Sequence, residues 1–344
     1  MSGKKKVLVA MSGGVDSSMS AKLLLEQGYE VHGAYMKMHS FEDRHAANIE
    51  KGRKVAAYFG FTHHVLDKRE EFAQKVYTPF INIYKEGKTP NPCTFCNRYL
   101  KFGALAEFAD SLGCEYVATG HYIKTDGEFF YEATDTTKDQ SYFLFNVRKE
   151  TLKRLIFPLA DWRKPDVKKM AAAIPELAFL ATQRESAEIC FVETDYIDII
   201  GKHFNVEQAG DVLDENGKTI GSHKGYMQYT IGKRRGFTVG GAKEPLYVQK
   251  ILPEDNKIVV APKSRIYQRA FDIEKVNLFF EPPQKTFRAL IKVRYRNNKQ
   301  PGVVTIDENG GAKAVLDEPE FAIASGQAAV FYEDNKLLGG GYVV

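Results

Sequence analysis

The sequence predicts an α/β protein in two halves: an N-terminal open, mostly parallel sheet flanked by helices, followed by a β-rich C-terminal half. Three observations predict it. Short β-prone runs alternate with helical patterns from residue 4 to about residue 119, as βαβ units require. A Gly–Ser turn lies between the first strand and the first helix, where open α/β sheets place ligand loops. After about residue 200 the texture changes to Gly-punctuated short strands, the pattern of small β domains or barrels.

The elements follow in order. Residues 4–10 form a β-rich apolar run, and S-S-M-S-A-K-L-L-L-E-Q-G reads as a helix closed by Gly28. A strand at 29–36 completes the first βαβ unit. Patterning then predicts a helix near 46–59, a strand near 62–66, helices near 70–85 and 98–112, and a strand at 115–119. Short strands are expected at 246–252, 257–260, 287–296, 302–306 and 328–332. No internal repeat or low-complexity tract interrupts them.

With 344 residues, 44% hydrophobic and 27% charged, the chain is long enough for two or three domains with their own cores, which excludes a disordered class. The basic start, M-S-G-K-K-K-V-L-V-A-M, runs into S-G-G before an apolar segment can build up. Neither a signal peptide nor a membrane span is expected, and the cytoplasm is the expected compartment. Ten Lys and Arg against three acids lie between Lys263 and Lys299, interleaved with Tyr267, Phe271, Phe287 and Tyr295. Such a stretch is either a solvated charged face or a surface for phosphate backbone and stacked bases.

The turn S-G-G-V-D-S-S at 12–18 opens a helix directly after a strand. Its backbone N–H groups, at a helix N-terminus, make an anion site, and Ser12, Ser17 and Ser18 add hydroxyls. It has neither the lysine of G-x-x-x-x-G-K-[ST] nor the spacing of G-x-G-x-x-G, so kinase and dehydrogenase readings lose their main support. Four cysteines are too few for a disulfide scaffold. Cys114, between a helix end and a strand start, reads as a buried small hydrophobe. Cys93 and Cys96 at CxxC spacing, and Cys190 in E-S-A-E-I-C-F-V-E, remain open to metal binding, redox exchange or catalysis.

S-G-G-V-D-S-S resembles the PP-loop of the ATP pyrophosphatase superfamily, whose members adenylate a substrate oxygen and release pyrophosphate. Further segments resemble the bacterial tRNA-specific 2-thiouridylases: N-P-x-x-x-C-N-R-Y-L-K-F-G (91–103), A-T-G-H-Y (118–122), K-D-Q-S-Y-F-L (138–144), E-I-C-F-V around Cys190, Y-T-I-G-K-R-R-G (229–236), V-R-Y-R (293–296) and S-G-Q-A-A-V-F-Y (325–332). The resemblance runs through nearly the whole chain. It implies a PP-loop adenylation and sulfur-transfer domain over 1–200, a small central β-rich tRNA-binding domain over 201–265 and a C-terminal β-barrel-like tRNA-binding domain over 266–344.

It also implies roles. Ala10, Met11, Ser12, Gly13, Gly14, Val15, Asp16, Ser17, Met36 and Gly120 match ATP-binding positions, with Asp16 helping to hold Mg2+. His121, Lys138, Asp139, Gln140, Arg294, Tyr295 and Gln327 match tRNA-contacting positions, and Asn91, Pro92 and Cys93 match the segment beside the target base. Cys190 matches the cysteine that carries sulfur as a persulfide, and Cys96 its partner thiol. The expected partners are the anticodon arm of tRNAs for Lys, Glu and Gln and a persulfide or sulfide donor protein. Many relatives carry Asp where this chain has Cys93. That departure leaves two sulfur routes, cysteine-only chemistry or a 4Fe-4S cluster on Cys93, Cys96 and Cys190, with zinc as a third use of the thiols. The stretch 85–100, with Gly87, Pro90 and Pro92, is the expected rearranging element. The rival enzyme is another PP-loop adenylating ligase or amidotransferase acting on a small molecule, and the non-enzymatic rival is a metal-containing RNA-binding module.

Overall fold

The computed structural model describes residues 4–183 and 189–344, so Glu185–Glu188 of the segment before Cys190 lie outside the described residues. The chain divides into two compact units. The first takes Met1–Val76, Cys93–Ala187 and Glu333–Leu338, and the second Tyr77–Pro92, Glu188–Tyr332 and Gly339–Val344.

The first unit begins with β1 (Lys6–Ala10), α1 (Val15–Glu26), β2 (Glu30–Lys37), α2 (Glu42–Phe59), β3 (Thr62–Asp67) and a short α3 (Arg69–Phe72). The chain then enters the second unit, which holds α4 (Thr78–Lys85). It returns along α5 (Pro92–Cys96), which continues through a π-helical stretch, Asn97–Ala104, into α6 (Leu105–Ser111). β4 (Tyr116–Ala118), the hairpin β5 (Lys124–Thr125) and β6 (Phe130–Tyr131), β7 (Leu155–Ile156) and α7 (Lys164–Ala172) follow. The sheet has the order β3-β2-β1-β4-β7 and is parallel throughout. Val7, Leu8 and Val9 of β1 are fully buried, as expected of a central strand covered on both faces. Gly28 sits at φ +86°, the left-handed position that lets the chain leave α1 and turn at once into β2.

In the second unit, after α8 (Tyr196–Ile200), come β8 (Gly210–Leu213), β9 (Thr219–His223), β10 (Phe237–Val239), β11 (Leu246–Leu252) and β12 (Lys257–Pro262), in the sheet order β10-β9-β8-β12-β11. Their core is Val212, Tyr229, Val248, Ile258 and Val260. The last strands are β13 (Tyr267–Leu278), β14 (Thr286–Lys292), β15 (Gln300–Ile306), β16 (Ala312–Phe321), β17 (Ala328–Glu333) and β18 (Lys336–Val343). Their order, β13-β16-β15-β14-β17-β18, closes because β18 also pairs with β13, giving a six-stranded barrel without a free edge. Before that closure, Lys336 and Leu337 pair with β6 in the first unit.

One expectation is corrected. The helix expected over 70–85 is broken into α3, a π-helical stretch Ala73–Tyr77 and α4. In the stretch 85–100 Pro92 starts α5, where a missing N–H costs nothing, and only 86–91 is irregular. That irregular piece is tied down within the second unit. The Tyr226 hydroxyl donates to the Lys85 carbonyl (2.7 Å), Thr89 N–H to Ser325 (2.8 Å), and Gln327 Nε2 to the Thr89 and Pro90 carbonyls (3.1 and 3.2 Å).

Phe331, fully buried in β17, anchors the barrel core. Phe331→Ala is expected to lower stability by about 3–5 kcal/mol through lost burial and a cavity. Urea unfolding followed by circular dichroism measures it, and a loss below about 1 kcal/mol would contradict the core assignment.

Candidate active site

The site of the first unit is built where the sheet order reverses, with β2 on one side of β1 and β4 on the other. Beyond β1, Met11 N–H still bonds to the Ala34 carbonyl (2.7 Å), and the chain then turns at Gly13, φ +79°. A Cβ on Gly13 would lie 2.9 Å from the Asn48 carbonyl oxygen of α2. Gly14 is the N-cap of α1, and no side chain caps the helix. The N–H groups of its first turn are therefore left for a ligand, and they carry the positive end of the helix dipole.

The serines divide their work. Ser17 and Ser18 are buried and turn their hydroxyls onto the Gly14 carbonyl (3.0 and 2.9 Å), while Ser17 Oγ also receives the Ser12 N–H (3.2 Å). They shape the loop, and the exposed hydroxyl, that of Ser12, shares a hydrogen bond with Ser17 Oγ (3.2 Å). From β4, Gly120 closes on the same loop. A Cβ there would lie 2.9 Å from Asp16 C and Ser17 N, so a side chain would push the loop backbone itself. Ala10, at the end of β1, and Met36, buried near the end of β2 opposite Leu66, lie on the strands that flank this point.

Asp16 holds two partners. Its carboxylate accepts from the Tyr122 hydroxyl (2.9 Å) and from Lys164 Nζ (2.5 Å), whose side chain is only 10% exposed. Lys164 opens α7, and its own N–H donates to Asp135 (2.9 Å). Sequence reasoning missed Lys164. Nothing in W-R-K-P-D marks it locally, because its meaning comes from residues 148 and 29 positions away.

His121 and the turn 138–140 come together beside Tyr122. Tyr122 and Gln140 exchange two hydrogen bonds, Tyr122 N–H to Gln140 Oε1 and Gln140 N–H to the Tyr122 carbonyl, each 3.0 Å. Asp139 is buried and accepts from Ala133 N–H (3.0 Å) and the Ser141 hydroxyl (2.6 Å), and Lys138 N–H bonds to the Asp135 carbonyl (3.0 Å). Burial, with the Lys101 ammonium beside it, holds the His121 imidazole pKa well below the ordinary value. Lys101 Nζ lies 3.4 Å from Nε2 and can only donate, so Nε2 is the acceptor and Nδ1–H donates to Thr119 Oγ1 (2.6 Å).

The thiols are distributed between the units. Cys93 and Cys96 share one face of α5 at i, i+3 spacing; Cys93 is half-buried, and Cys96 is buried with Sγ 4.0 Å from Met38 Sδ. Cys96 leads into the π-helical stretch, whose Asn97 and Arg98 side chains bind the Phe143 and Asn146 carbonyls (3.0 and 2.7 Å). Asn91 and Pro92, both buried, belong to the second unit, as does half-buried Cys190, next to Phe191 packed on Phe80. Cys114 is buried, and burial pushes its thiol pKa up, as suits the apolar filler expected there.

Among the described residues no three His, Cys, Asp or Glu side chains are grouped to hold a metal ion.

In the second unit, Arg294 donates to the Ile231 (3.3 Å) and Ala322 carbonyls, Gln327 holds Thr89 and Pro90, and the Tyr295 ring lies 5.6 Å from Lys292 Nζ. Within the base-rich stretch 263–299 part of the charge is paired. Arg288 pairs with Asp317, Lys285 with Glu308, Lys275 with Glu274 and Arg265 with Glu215, while Arg269 caps the Leu316 and Asp317 carbonyls. Several of these acids come from β16 or from turns elsewhere in the chain, which a linear charge count cannot see.

The fold and the loop define an α/β domain with an anion-binding loop of the PP-loop type, followed by a five-stranded sheet domain and a six-stranded β-barrel. Family models match in that order: a tRNA methyl transferase HUP domain over residues 5–194, a tRNA methyl transferase PRC-barrel domain over 197–262 and an aminomethyltransferase β-barrel domain over 268–343. Curated relatives named tRNA-specific 2-thiouridylase match end to end. The protein of a Nitratiruptor species is 54% identical over 99% of both chains, that of Sulfurimonas denitrificans 52% over 98% of both, and that of Campylobacter lari 49% over 98% of this chain and 99% of its own. The chain belongs to the tRNA-specific 2-thiouridylase family.

Two outcomes test the site. Gly120→Ala should weaken ATP binding at least tenfold in calorimetry while leaving the far-ultraviolet spectrum unchanged, because the added Cβ meets loop backbone; unaltered affinity would contradict the close approach. His121 should show no imidazole titration by NMR between pH 5.5 and 8. Since the unfolded chain takes up its proton near pH 6.5 and the folded one does not, His121 favours folding above that pH and its contribution is lost as pH falls below it.

Proposed function

We propose that this protein adenylates O2 of the wobble uridine in tRNAs for Lys, Glu and Gln and replaces that oxygen with sulfur, through the residues described above. Formation of 2-thiouridine in tRNA is the family's activity, and the observation that carries the adenylation half is the uncapped α1 N-terminus pressed by Gly120 and flanked by Asp16 and Lys164. The loop from Ala10 to Ser17 receives the polyphosphate of ATP. Met36 lies on the adenine side, as a soft apolar contact. Bound Mg2+, held by Asp16 and the phosphates, would neutralise charge on the departing pyrophosphate.

The uridine O2 forms a bond to the α-phosphorus, the bond to the β-phosphate bridge breaks, and pyrophosphate leaves toward the α1 N-terminus, where Lys164 adds a largely desolvated positive charge. Adenylation turns a poor leaving group into AMP. Cys190 brings sulfur as a persulfide taken from a donor protein. The Cys96 thiolate attacks Cys190 Sγ, the S–S bond breaks, and the freed sulfide adds at C2 and expels AMP. A Cys96–Cys190 disulfide remains, and an external thiol returns two electrons to it. Cys93 assists where many relatives have a carboxylate, and His121, Lys138, Asp139 and Gln140 face the tRNA together with Arg294, Tyr295 and Gln327. The domains span 1–200, 201–265 and 266–344, and the work is cytoplasmic.

The supporting experiment separates the half-reactions. Asp16→Ala should abolish tRNA-dependent pyrophosphate release, whereas Cys96→Ala and Cys190→Ala should retain release and lose 2-thiouridine, read by nucleoside mass spectrometry. Release by Asp16→Ala at the normal rate, or thiolation by either cysteine variant, would contradict the assignment. Cys93→Ala, prepared without oxygen, should keep substantial thiolation with a persulfide donor; loss of iron and activity together would favour a cluster instead.

A further inference from the structure

The motif Y-T-I-G-K-R-R-G has no part in adenylation or sulfur transfer as derived above. In the second unit it forms the loop that leads from buried Tyr229 into β10. Lys233, Arg234 and Arg235 are consecutive and all exposed.

The loop backbone is held from several directions. Gly232 N–H donates to the Val248 carbonyl (2.8 Å), Val248 N–H returns to the Lys233 carbonyl (2.9 Å), and Lys233 N–H closes on Thr230 (3.0 Å). The Tyr229 hydroxyl donates to the Gly236 carbonyl, and Arg294 donates to the Ile231 carbonyl (3.3 Å). Gly232 and Gly236 both have positive φ, +85° and +100°, and a Cβ on Gly232 would lie 2.5 Å from the Ala322 Cβ. A loop fastened in this way presents its side chains at fixed positions, so the ordering cost falls mainly on the arginine side chains themselves.

Four cations of the base-rich stretch 263–299, Arg288, Lys285, Lys275 and Arg265, each have an acid beside them. No acid stands within ion-pair distance of Arg234 or Arg235 among the described residues, and Lys233 gives its ammonium to the Gln228 carbonyl (2.6 Å) over the Tyr229 ring. Residues 201–265 as a whole carry eleven Lys and Arg against seven Asp and Glu. Uncompensated guanidinium groups on a rigid, exposed loop suit phosphate, which they bind through paired N–H donors.

We infer that Arg234 and Arg235 form a phosphate-binding site for the sugar–phosphate backbone of the tRNA substrate, supported by the fixed loop Ile231–Gly236 of the central barrel. This rests on tRNA being the substrate. The site contributes affinity that does not depend on base sequence, and its strength falls with salt as counterions compete.

The test is binding of full-length unmodified tRNA to the whole protein over a salt series, by filter retention, for wild type and the R234A/R235A double variant. The variant should bind roughly tenfold to a hundredfold more weakly at about 0.1 M salt, and the slope of log K against log salt should shrink by about two units. The loss should be equal for cognate and non-cognate tRNA, ATP affinity and thermal midpoint should stay at wild-type values, and R234K/R235K should recover most of the slope. A double variant with wild-type affinity and slope, or a loss confined to one tRNA, would overturn the inference while leaving tRNA as substrate intact. A wild type that fails to bind tRNA would overturn both.

Discussion

The close approach of Gly120 to Asp16 and Ser17 is the constraint on which the catalytic unit depends. It requires β4 to lie next to β1, which the order β3-β2-β1-β4-β7 provides, and it requires a residue without a side chain after Thr119. In return it fixes the first turn of α1 while Asn48 closes on Gly13, so the uncapped N–H groups have one geometry before any ligand arrives. Preorganised donors of this kind stabilise developing charge without rearranging during the reaction. The Asp16–Lys164 pair follows from the same placement, since α7 brings its first residue to the half-buried carboxylate of that turn. With Lys164 only 10% exposed and bonded to Asp135 through its backbone, the ammonium is positioned more firmly than a surface lysine would be.

The sulfur chemistry is built on a different device. α5 places Cys93 and Cys96 one turn apart, and the π-helical stretch after it carries the chain into α6. A wide turn of this type shifts the side chains that follow relative to an α-helix, and here Asn97 and Arg98 are committed to the carbonyls of Phe143 and Asn146. The cysteine face is thereby locked to the segment that follows K-D-Q. On the other side of Pro92, the chain is bound by Tyr226, Ser325 and Gln327, so the short irregular piece 86–91 is fixed at its start by one barrel and further along by the other.

What the sequence made legible was what is local. The strand, turn and helix around S-G-G-V-D-S-S could be read because the anion site is made from consecutive backbone groups. The parallel sheet was visible in the alternation of apolar strands and helical patterns, and the Gly28 stop came from a single residue's conformational freedom. The rest is non-local. Lys164 acquires its role only when α7 packs beside the loop, and β16 and β18 were not foreseen because their pairing is decided by barrel closure. The π-helical stretch imitated an ordinary helix, since a spacing of five leaves no signature in an apolar pattern read at 3.6. Arg294 and Gln327 are found holding backbone carbonyls within the second unit, which no spacing of residues could announce.

Charge illustrates the same limit in the opposite direction. The run 263–299 looked like the most basic part of the chain, yet β16 and turns bring Asp317, Glu308 and Glu215 to three of its cations. Exposed pairs of this kind add little to stability, but each one reduces the local positive potential that a polyanion would feel. A short run of three bases in a pinned loop is a small signal in sequence, yet its two arginines keep their charge without acids beside them among the described residues. For a polyanionic substrate the relevant quantity is the set of cations left uncompensated after folding. By that measure, Arg234 and Arg235 belong to the cations of the second unit that a polyanion would feel, whereas Arg288, Lys285, Lys275 and Arg265 are partly screened by their acids.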